Sequence, residues 1–86
     1  MPYRIVFSTR AERQFRKLDR HVQMRLRRTI DALGVDPRPA GVKKLEGEKD
    51  LYRVRQGDHR IIYQIRDRVL LVLVVRIGHR KDVYRG

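Results

Sequence analysis

The side chains best suited to chemistry are concentrated in the second half of the chain. They combine several cations with one imidazole and one phenol: Arg53, Arg55, Arg60, His79, Arg80, Lys81 and Tyr84. The planar guanidinium of arginine matches phosphate oxygens in pairs and stays protonated at working pH. By spacing alone, this set favours phosphate binding over catalysis.

Cleavage of RNA without a metal would require a base, an acid and charge-stabilising cations among these groups. A base takes the 2′-hydroxyl proton, cations hold the charge of the phosphorane, and an acid protonates the leaving 5′-oxygen, which gives a 2′,3′-cyclic phosphate. Arginines suit the second task, and His79 or Tyr84 could move a proton. The alternatives remain open: Arg53 and Arg55 could form a solvated sheet face, His79 could be structural, and Tyr84 could pack on the last strand.

Composition narrows the possible partners. The 86 residues carry 22 Lys and Arg against 10 Asp and Glu, a formal charge of +12. Such a charge favours a polyanion, nucleic acid before a membrane surface, although solubility charge alone is the plainer explanation. There is no cysteine, and the three histidines lack metal-ligand spacing, so no metal or cofactor is expected. With no apolar segment of signal-peptide or membrane-spanning length, one cytoplasmic domain over residues 1–86 is predicted.

The first half predicts one strand and a helical hairpin. A short apolar run predicts a strand over Arg4–Phe7, and Thr9 with Glu12 resembles a capping box that opens a helix. Asp19 can cap a second helix, and Gly34 stands where a left-handed C-cap is expected. Apolar residues at helical spacing give each helix one inner stripe: Ala11, Phe15 and Leu18, then Val22, Leu26, Ile30 and Leu33. Residues 35–50 are expected to be a loop.

The second half predicts an antiparallel meander of three strands. These are Leu51–Arg55, His59–Arg66 and Val69–Ile77, with a tight turn at Asp67-Arg68 between the last two. Neighbouring strands should gather Arg53, Arg55 and Arg60, with the tail beside them. The third strand is apolar on both faces, and two helices can cover only one. We therefore expect an α+β fold with a hydrophobic groove that a partner fills.

Four segments together resemble the RelE branch of the RelE/ParE toxin superfamily. They are Lys44-Leu45-x-Gly47, Tyr52-Arg53-Val54-Arg55-x-Gly57-Asp58-x-Arg60-Ile61-Ile62-Tyr63, Val75-Arg76-Ile77-Gly78-His79-Arg80 and Val83-Tyr84. The resemblance implies an N-terminal strand and a helical hairpin packed on an antiparallel sheet with a three-stranded C-terminal meander. It implies the toxin of a type II toxin–antitoxin system, an endoribonuclease that cleaves mRNA in the ribosomal A site and inhibits translation. The implied partners are a RelB-like antitoxin, the ribosome and mRNA, with operator DNA reached only through the antitoxin complex and no membrane.

The resemblance also assigns roles to individual residues. Arg60 and Arg80 match phosphate-holding and leaving-group arginines, and Tyr84 matches a C-terminal tyrosine that acts as base or as a stacking platform. Arg53 and Arg55 stand where relatives have lysines, so these two can stabilise charge but cannot act as a base. His79 is a further catalytic candidate and Glu46 an outside candidate for the base. Three lysines join the RNA-binding set: Lys43, Lys44 and Lys81.

Two other functions fit the same sequence. One is a ParE-like toxin that inhibits DNA gyrase and is not a nuclease, and the other is a non-catalytic RNA- or ribosome-binding module. The simultaneous presence of Arg60, Arg80 and Tyr84 favours the nuclease over the gyrase toxin. The grouping of His79 and Tyr84 with arginines favours it over a plain binding module.

Overall fold

The fold is an α+β arrangement in which two helices pack on one sheet. A computed structural model describes residues 2–47 and 49–79. In chain order the elements are β1 (Arg4–Phe7), α1 (Thr9–Arg16), α2 (Arg20–Leu33), β2 (Lys43–Lys44), β3 (Leu51–Gln56), β4 (His59–Arg66) and β5 (Leu71–His79). The strands form a sheet in the order β1-β5-β4-β3-β2.

The sheet confirms the predicted meander and extends it on both sides. β3, β4 and β5 are antiparallel neighbours, as expected from their short turns. β1 runs parallel to β5, with Arg4 opposite Leu71 and Phe7 opposite Val74, so the complete sheet is mixed. Lys43 and Lys44, expected in a loop, instead form a two-residue strand beside β3.

The helical hairpin is confirmed, but its ends are capped differently from the prediction. The N-cap of α1 is Ser8 and not Thr9, because the Ser8 Oγ accepts a hydrogen bond from the Ala11 backbone N–H at 3.0 Å. Asp19 is the N-cap of α2, although its side chain makes no capping hydrogen bond there. Gly34 follows α2 with a φ of −70°, so its predicted left-handed conformation is wrong.

The core lies between the helices and one face of the sheet. Leu26, Ile30 and Leu33 of α2 are 0–1% exposed, and Tyr63 and Val74 of the sheet are fully buried. Tyr52 stacks on Tyr63 with ring centroids 6.0 Å apart, and both are core aromatics. Burial raises the pKa of the Tyr63 phenol, whose O–H donates to the Pro37 carbonyl at 2.6 Å. Tyr63 is therefore a neutral, structural tyrosine.

A β-bulge changes which side chains of β5 face the core. Tyr63 lies opposite Val74, but the preceding Ile62 lies opposite Arg76, so Val75 is an extra residue in β5. The bulge is tied to the start of α1, since the Ser8 Oγ donates to the Val75 carbonyl at 2.9 Å. The core position after Val74 is consequently Ile77, which is 2% exposed, and Arg76 turns to the opposite face.

The connection from β4 to β5 is longer than predicted. Residues Asp67–Val69 form a 3₁₀ turn, Leu70 has a φ of 51°, and β5 begins at Leu71 rather than Val69. Asp67 is held by two partners: Arg38 donates to its carboxylate at 2.9 and 3.3 Å, and the Tyr3 hydroxyl donates at 2.6 Å. These contacts lower the pKa of Asp67, the Arg38 hydrogen bond most strongly. They tie this turn to Tyr3, before β1, and to Arg38, in the loop after α2.

Candidate nucleic-acid interface

The face of the sheet turned away from the helices, here called the open face, carries a first row of cations. Strand register places Lys43 opposite Arg53, Arg53 opposite Ile62, and Ile62 opposite Arg76. Directly opposed residues share a face, with Cβ atoms about 5 Å apart. The row therefore crosses four strands and holds three cations around one buried isoleucine.

A second row runs beside the first. Arg55 lies opposite Arg60, which in turn lies opposite Gly78. Arg55 is exposed, whereas Arg60 is 4% exposed and is thus a buried cation. Gly78 has no side chain, so this row ends at bare backbone next to Arg60. The strand register places Arg53, Arg55 and Arg60 on the same face, as the sequence predicted.

The two rows oppose like charges, which disfavours folding. Cations directly opposite each other in an antiparallel pair destabilise it, and this face has Lys43 against Arg53 and Arg55 against Arg60. Among the strand residues that share the open face in the described part of the chain, none is Asp or Glu. Such an arrangement is suited to a polyanion, whose phosphates would offset the repulsion.

Arg76 is a member of this site that the sequence did not indicate. Its strand reads as an unbroken apolar run, so alternation could not assign Arg76 to a face. One signal was available: Ile77 lies three positions after Val74, so strict alternation cannot place both apolar side chains on the same face. A bulge between them resolves the conflict and brings the half-buried Arg76 beside Ile62.

His79 does not lie with the arginines, which corrects its expected placement. It is opposite His59 at the end of the β4–β5 pair, and the two rings meet edge to face at 5.8 Å between centroids. His59 lines a cleft with residues of α2, which places this pair on the helix-covered face. The bulge at Val75 is the cause, because it exchanges the faces of all later residues in β5.

The remaining candidates are distributed as follows. Lys44 lies opposite Tyr52, so alternation separates it from Lys43, although both are exposed. Glu46 is exposed in the loop after β2, where it lines a shallow cleft with Lys44. Arg80, Lys81 and Tyr84 lie outside the described residues. His21 is exposed at the start of α2.

The other end of the open face is apolar. Leu71 and Leu73 of β5 are half-buried there, and Val6 of β1, opposite Leu73, is 41% exposed. The adjoining turn adds Val69 and Leu70, at 61% and 47% exposed. The open face thus has two basic rows that reach from β2 to β5, and an apolar end around Val6, Leu71 and Leu73. Two exposed arginines, Arg4 and Arg66, lie opposite Leu71 at that end. Within the described residues, no helix has the length and apolarity needed to cross a membrane.

Comparison with known proteins shows that the chain is similar to bacterial toxins of the ParE and RelE type. The family model described as the ParE toxin of the type II toxin–antitoxin system parDE matches residues 5–84. The mRNA interferase toxin RelE of Escherichia coli K12 is 32% identical over 88 residues, covering 98% of this chain and 92% of that protein. Toxin RelG of Mycobacterium tuberculosis is 30% identical over 86 residues, covering 99% of each chain.

Solved structures agree with this placement. The toxin in the intact E. coli RelBE toxin–antitoxin complex superimposes with a TM-score of 0.80 at 29% identity, over 90% of this chain and 95% of that one. A chain of the archaeal RelE–RelB complex from Pyrococcus horikoshii OT3 gives 0.82 at 29% identity, over 93% and 97%. The resemblance read from the sequence is confirmed: the chain belongs to the ParE toxin family of type II toxin–antitoxin systems, and within it is a RelE-type toxin.

Proposed function

We propose that this toxin is an endoribonuclease that cleaves mRNA in the ribosomal A site and so stops translation. The observation that carries the proposal is the pair of like-charged rows on the open face, an arrangement that suits a phosphate backbone. The names of relatives support the same activity, since they include the mRNA interferase toxin RelE.

The proposed reaction needs no metal. The 2′-oxygen attacks the adjacent phosphorus as a base removes its proton, the bond from phosphorus to the 5′-oxygen breaks, and an acid protonates that oxygen. The products are a 2′,3′-cyclic phosphate and a free 5′-hydroxyl. Negative charge develops on the phosphoryl oxygens, where fixed guanidinium groups stabilise it without reorganising.

The described cations fit the charge-holding part of this reaction. Arg60 is the central group, because it is buried and flanked by Arg55 on one side and the bare backbone of Gly78 on the other. Arg53 and Arg76 hold the neighbouring phosphate, with Lys43 at the end of the row. None of the four arginines can act as a base at working pH.

We assign proton transfer to residues near the end of the chain. Tyr84 takes the 2′-hydroxyl proton and Arg80 stabilises the leaving 5′-oxygen, as the resemblance implies. His79, the other catalytic candidate of the sequence, is given no proton transfer here, because its ring lies on the helix-covered face, away from the arginine rows. Lys44 and Lys81 bind flanking phosphates.

The apolar end of the open face supports a protein partner. The two superimposed complexes each contain a RelB antitoxin. We propose that a RelB-like antitoxin covers Val6, Leu71 and Leu73 and reaches across the basic rows, and that operator DNA is bound only through that complex. The toxin would then act in the cytoplasm, where ribosomes and mRNA are present.

Primer extension on mRNA from cells that make the chain tests the proposed activity. The wild type should give new 5′ ends within coding regions. Arg80→Ala should reduce cleavage by about 10²–10³-fold, the usual loss when one transition-state charge donor is removed. Arg76→Ala should reduce it by about tenfold, as a loss of phosphate binding worth about 1.4 kcal/mol.

Arg68→Ala is the matched control for these variants. It removes the same charge, but Arg68 is exposed in the β4–β5 turn, away from both rows. Cleavage should therefore remain at the wild-type level. Intact mRNA together with DNA damage signalling would show a gyrase toxin instead. Ribosome binding and growth arrest without new 5′ ends would show a non-catalytic binding module.

A further inference from the structure

Two of the three histidines form a cross-strand pair at one end of the sheet. His59 begins β4 and His79 ends β5, and the register places them directly opposite each other. Their ring centroids are 5.8 Å apart and their planes are inclined by 77°. Both side chains are partly exposed, so solvent reaches the pair.

We propose that His59 and His79 form a binding site for a divalent transition-metal ion, with Zn²⁺ as the representative. Two imidazoles that share a tetrahedral ion at about 2.1 Å per Zn–N bond have ring centroids about 5 Å apart. The observed 5.8 Å is within about 1 Å of that value. Binding of one ion by both rings would bring the two centroids closer together than they are in this structure, by somewhat less than about 1 Å.

The surroundings suit a site of two protein ligands completed by water. No cluster of three or more His, Cys, Asp or Glu side chains placed to hold a metal occurs in residues 2–47 and 49–79. His59 lines a cleft between α2 and the β3–β4 turn that also includes Arg25 and Asp58. These two side chains carry opposite charges, so together they neither repel nor attract a cation strongly. Imidazole nitrogen selects Zn²⁺, Ni²⁺ or Cu²⁺ over Mg²⁺, which requires oxygen ligands.

A bound ion would join two strand ends that are 20 residues apart in the chain. It would hold His79, the last described residue of β5, against the start of β4. The site is separate from the arginine rows, because the histidines occupy the helix-covered side of the sheet. The proposal therefore stands independently of the proposed nuclease activity.

The decisive measurement is a Zn²⁺ titration of the full-length chain after removal of any histidine tag, with heat of binding as the readout. The wild type should bind one Zn²⁺ per chain, and His59→Ala and His79→Ala should each weaken binding at least tenfold. His21→Ala is the matched control, since His21 is an exposed single histidine on α2, and it should bind as the wild type does. Mg²⁺ should give no binding.

A second readout uses the unmodified protein and so does not depend on the folding of variants. In the histidine ring signals of its ¹H–¹⁵N spectrum, Zn²⁺ should shift two of the three imidazoles together and leave the third unchanged. The proposal is overturned if the wild type binds no Zn²⁺, if the ring signals do not move, or if His59→Ala or His79→Ala binds as tightly as the wild type. Loss of binding in His21→Ala alone would equally reject the pair.

Discussion

The helix-covered face and the open face of the sheet use the same cross-strand positions in opposite ways. On the covered face Tyr52 lies opposite Tyr63 and Val54 opposite Ile61, pairs that stabilise a sheet by burying apolar area. One residue along on the same strands, Arg55 lies opposite Arg60 on the open face. The covered face is therefore organised for folding, whereas the rows on the open face oppose it.

This difference separates residues that support the scaffold from residues that face a partner. Elsewhere in the molecule some charges lie beside opposite charges, as in Arg38 with Asp67 and Arg27 with Asp31. The open face instead opposes cation to cation and adjoins exposed apolar side chains such as Val6. A region that places like charges opposite each other and exposes apolar side chains is the expected location of function.

The largest expected effect is on the covered side, where α2 contributes its buried stripe. Leu26 is fully buried, so Leu26→Ala should lower the free energy of unfolding by about 2–5 kcal/mol, from lost transfer energy and a remaining cavity. Urea denaturation followed by circular dichroism measures the change. Met24, on the same helix but 55% exposed, is the control, and Met24→Ala should change stability by less than about 0.5 kcal/mol. Equal losses in both variants would contradict the assignment of the core.

A smaller effect of opposite sign is expected on the open face. Arg55→Gln removes one of two directly opposed cations and should raise the free energy of unfolding by about 0.2–1 kcal/mol while weakening RNA binding. Arg4→Gln is the matched control, because Arg4 is an exposed strand arginine opposite Leu71. The free energy of unfolding of this variant should not rise. Denaturation and RNA titration on the same samples test both effects. A loss of stability in Arg55→Gln would show that the row is structural.

Local patterns predicted most of the scaffold. The bounds of β1 and β4 follow from the Ile5-Val6-Phe7 run and from the Gly57-Asp58 turn, and the two helical stripes gave the hairpin its inner face. These features depend on residues close together in sequence. Contacts between distant residues could not be read in this way: Arg38 is 29 residues from Asp67, and nothing near Arg38 indicates that partner.

One structural feature, the bulge in β5, explains why the sequence did not indicate Arg76 and why it misplaced His79. Because Val69 to Val75 is continuously apolar, alternation carried no information on where an extra residue could enter β5. The bulge at Val75 moves Arg76 onto the open face and His79 onto the covered face. It is fixed by Ser8 and by Gln14, whose Oε1 accepts from the Ile77 N–H at 2.7 Å, both more than 60 residues away. The arginines of β3 and β4 lie outside the bulged strand, so their grouping was predictable.

The last and smallest expected effect concerns the paired charges that contrast with the open face. Hydrogen bonds from Arg38 and then from Tyr3 lower the pKa of Asp67 in the folded protein. A carboxyl with a lowered folded pKa contributes stability above the unfolded value of about 3.9 and loses it as the pH falls through the folded value. The wild type should therefore lose stability on acidification below about pH 4, and Asp67→Asn should reduce that loss. The midpoints of urea denaturation, determined between pH 2 and 6, measure this loss of stability. Arg38→Met should reduce the pH dependence as Asp67→Asn does, because both remove the same pair, while Tyr3→Phe should reduce it less. An unchanged pH profile in Asp67→Asn would show that this exposed pair leaves folding unaffected and that pairing of charges does not distinguish the scaffold from the open face.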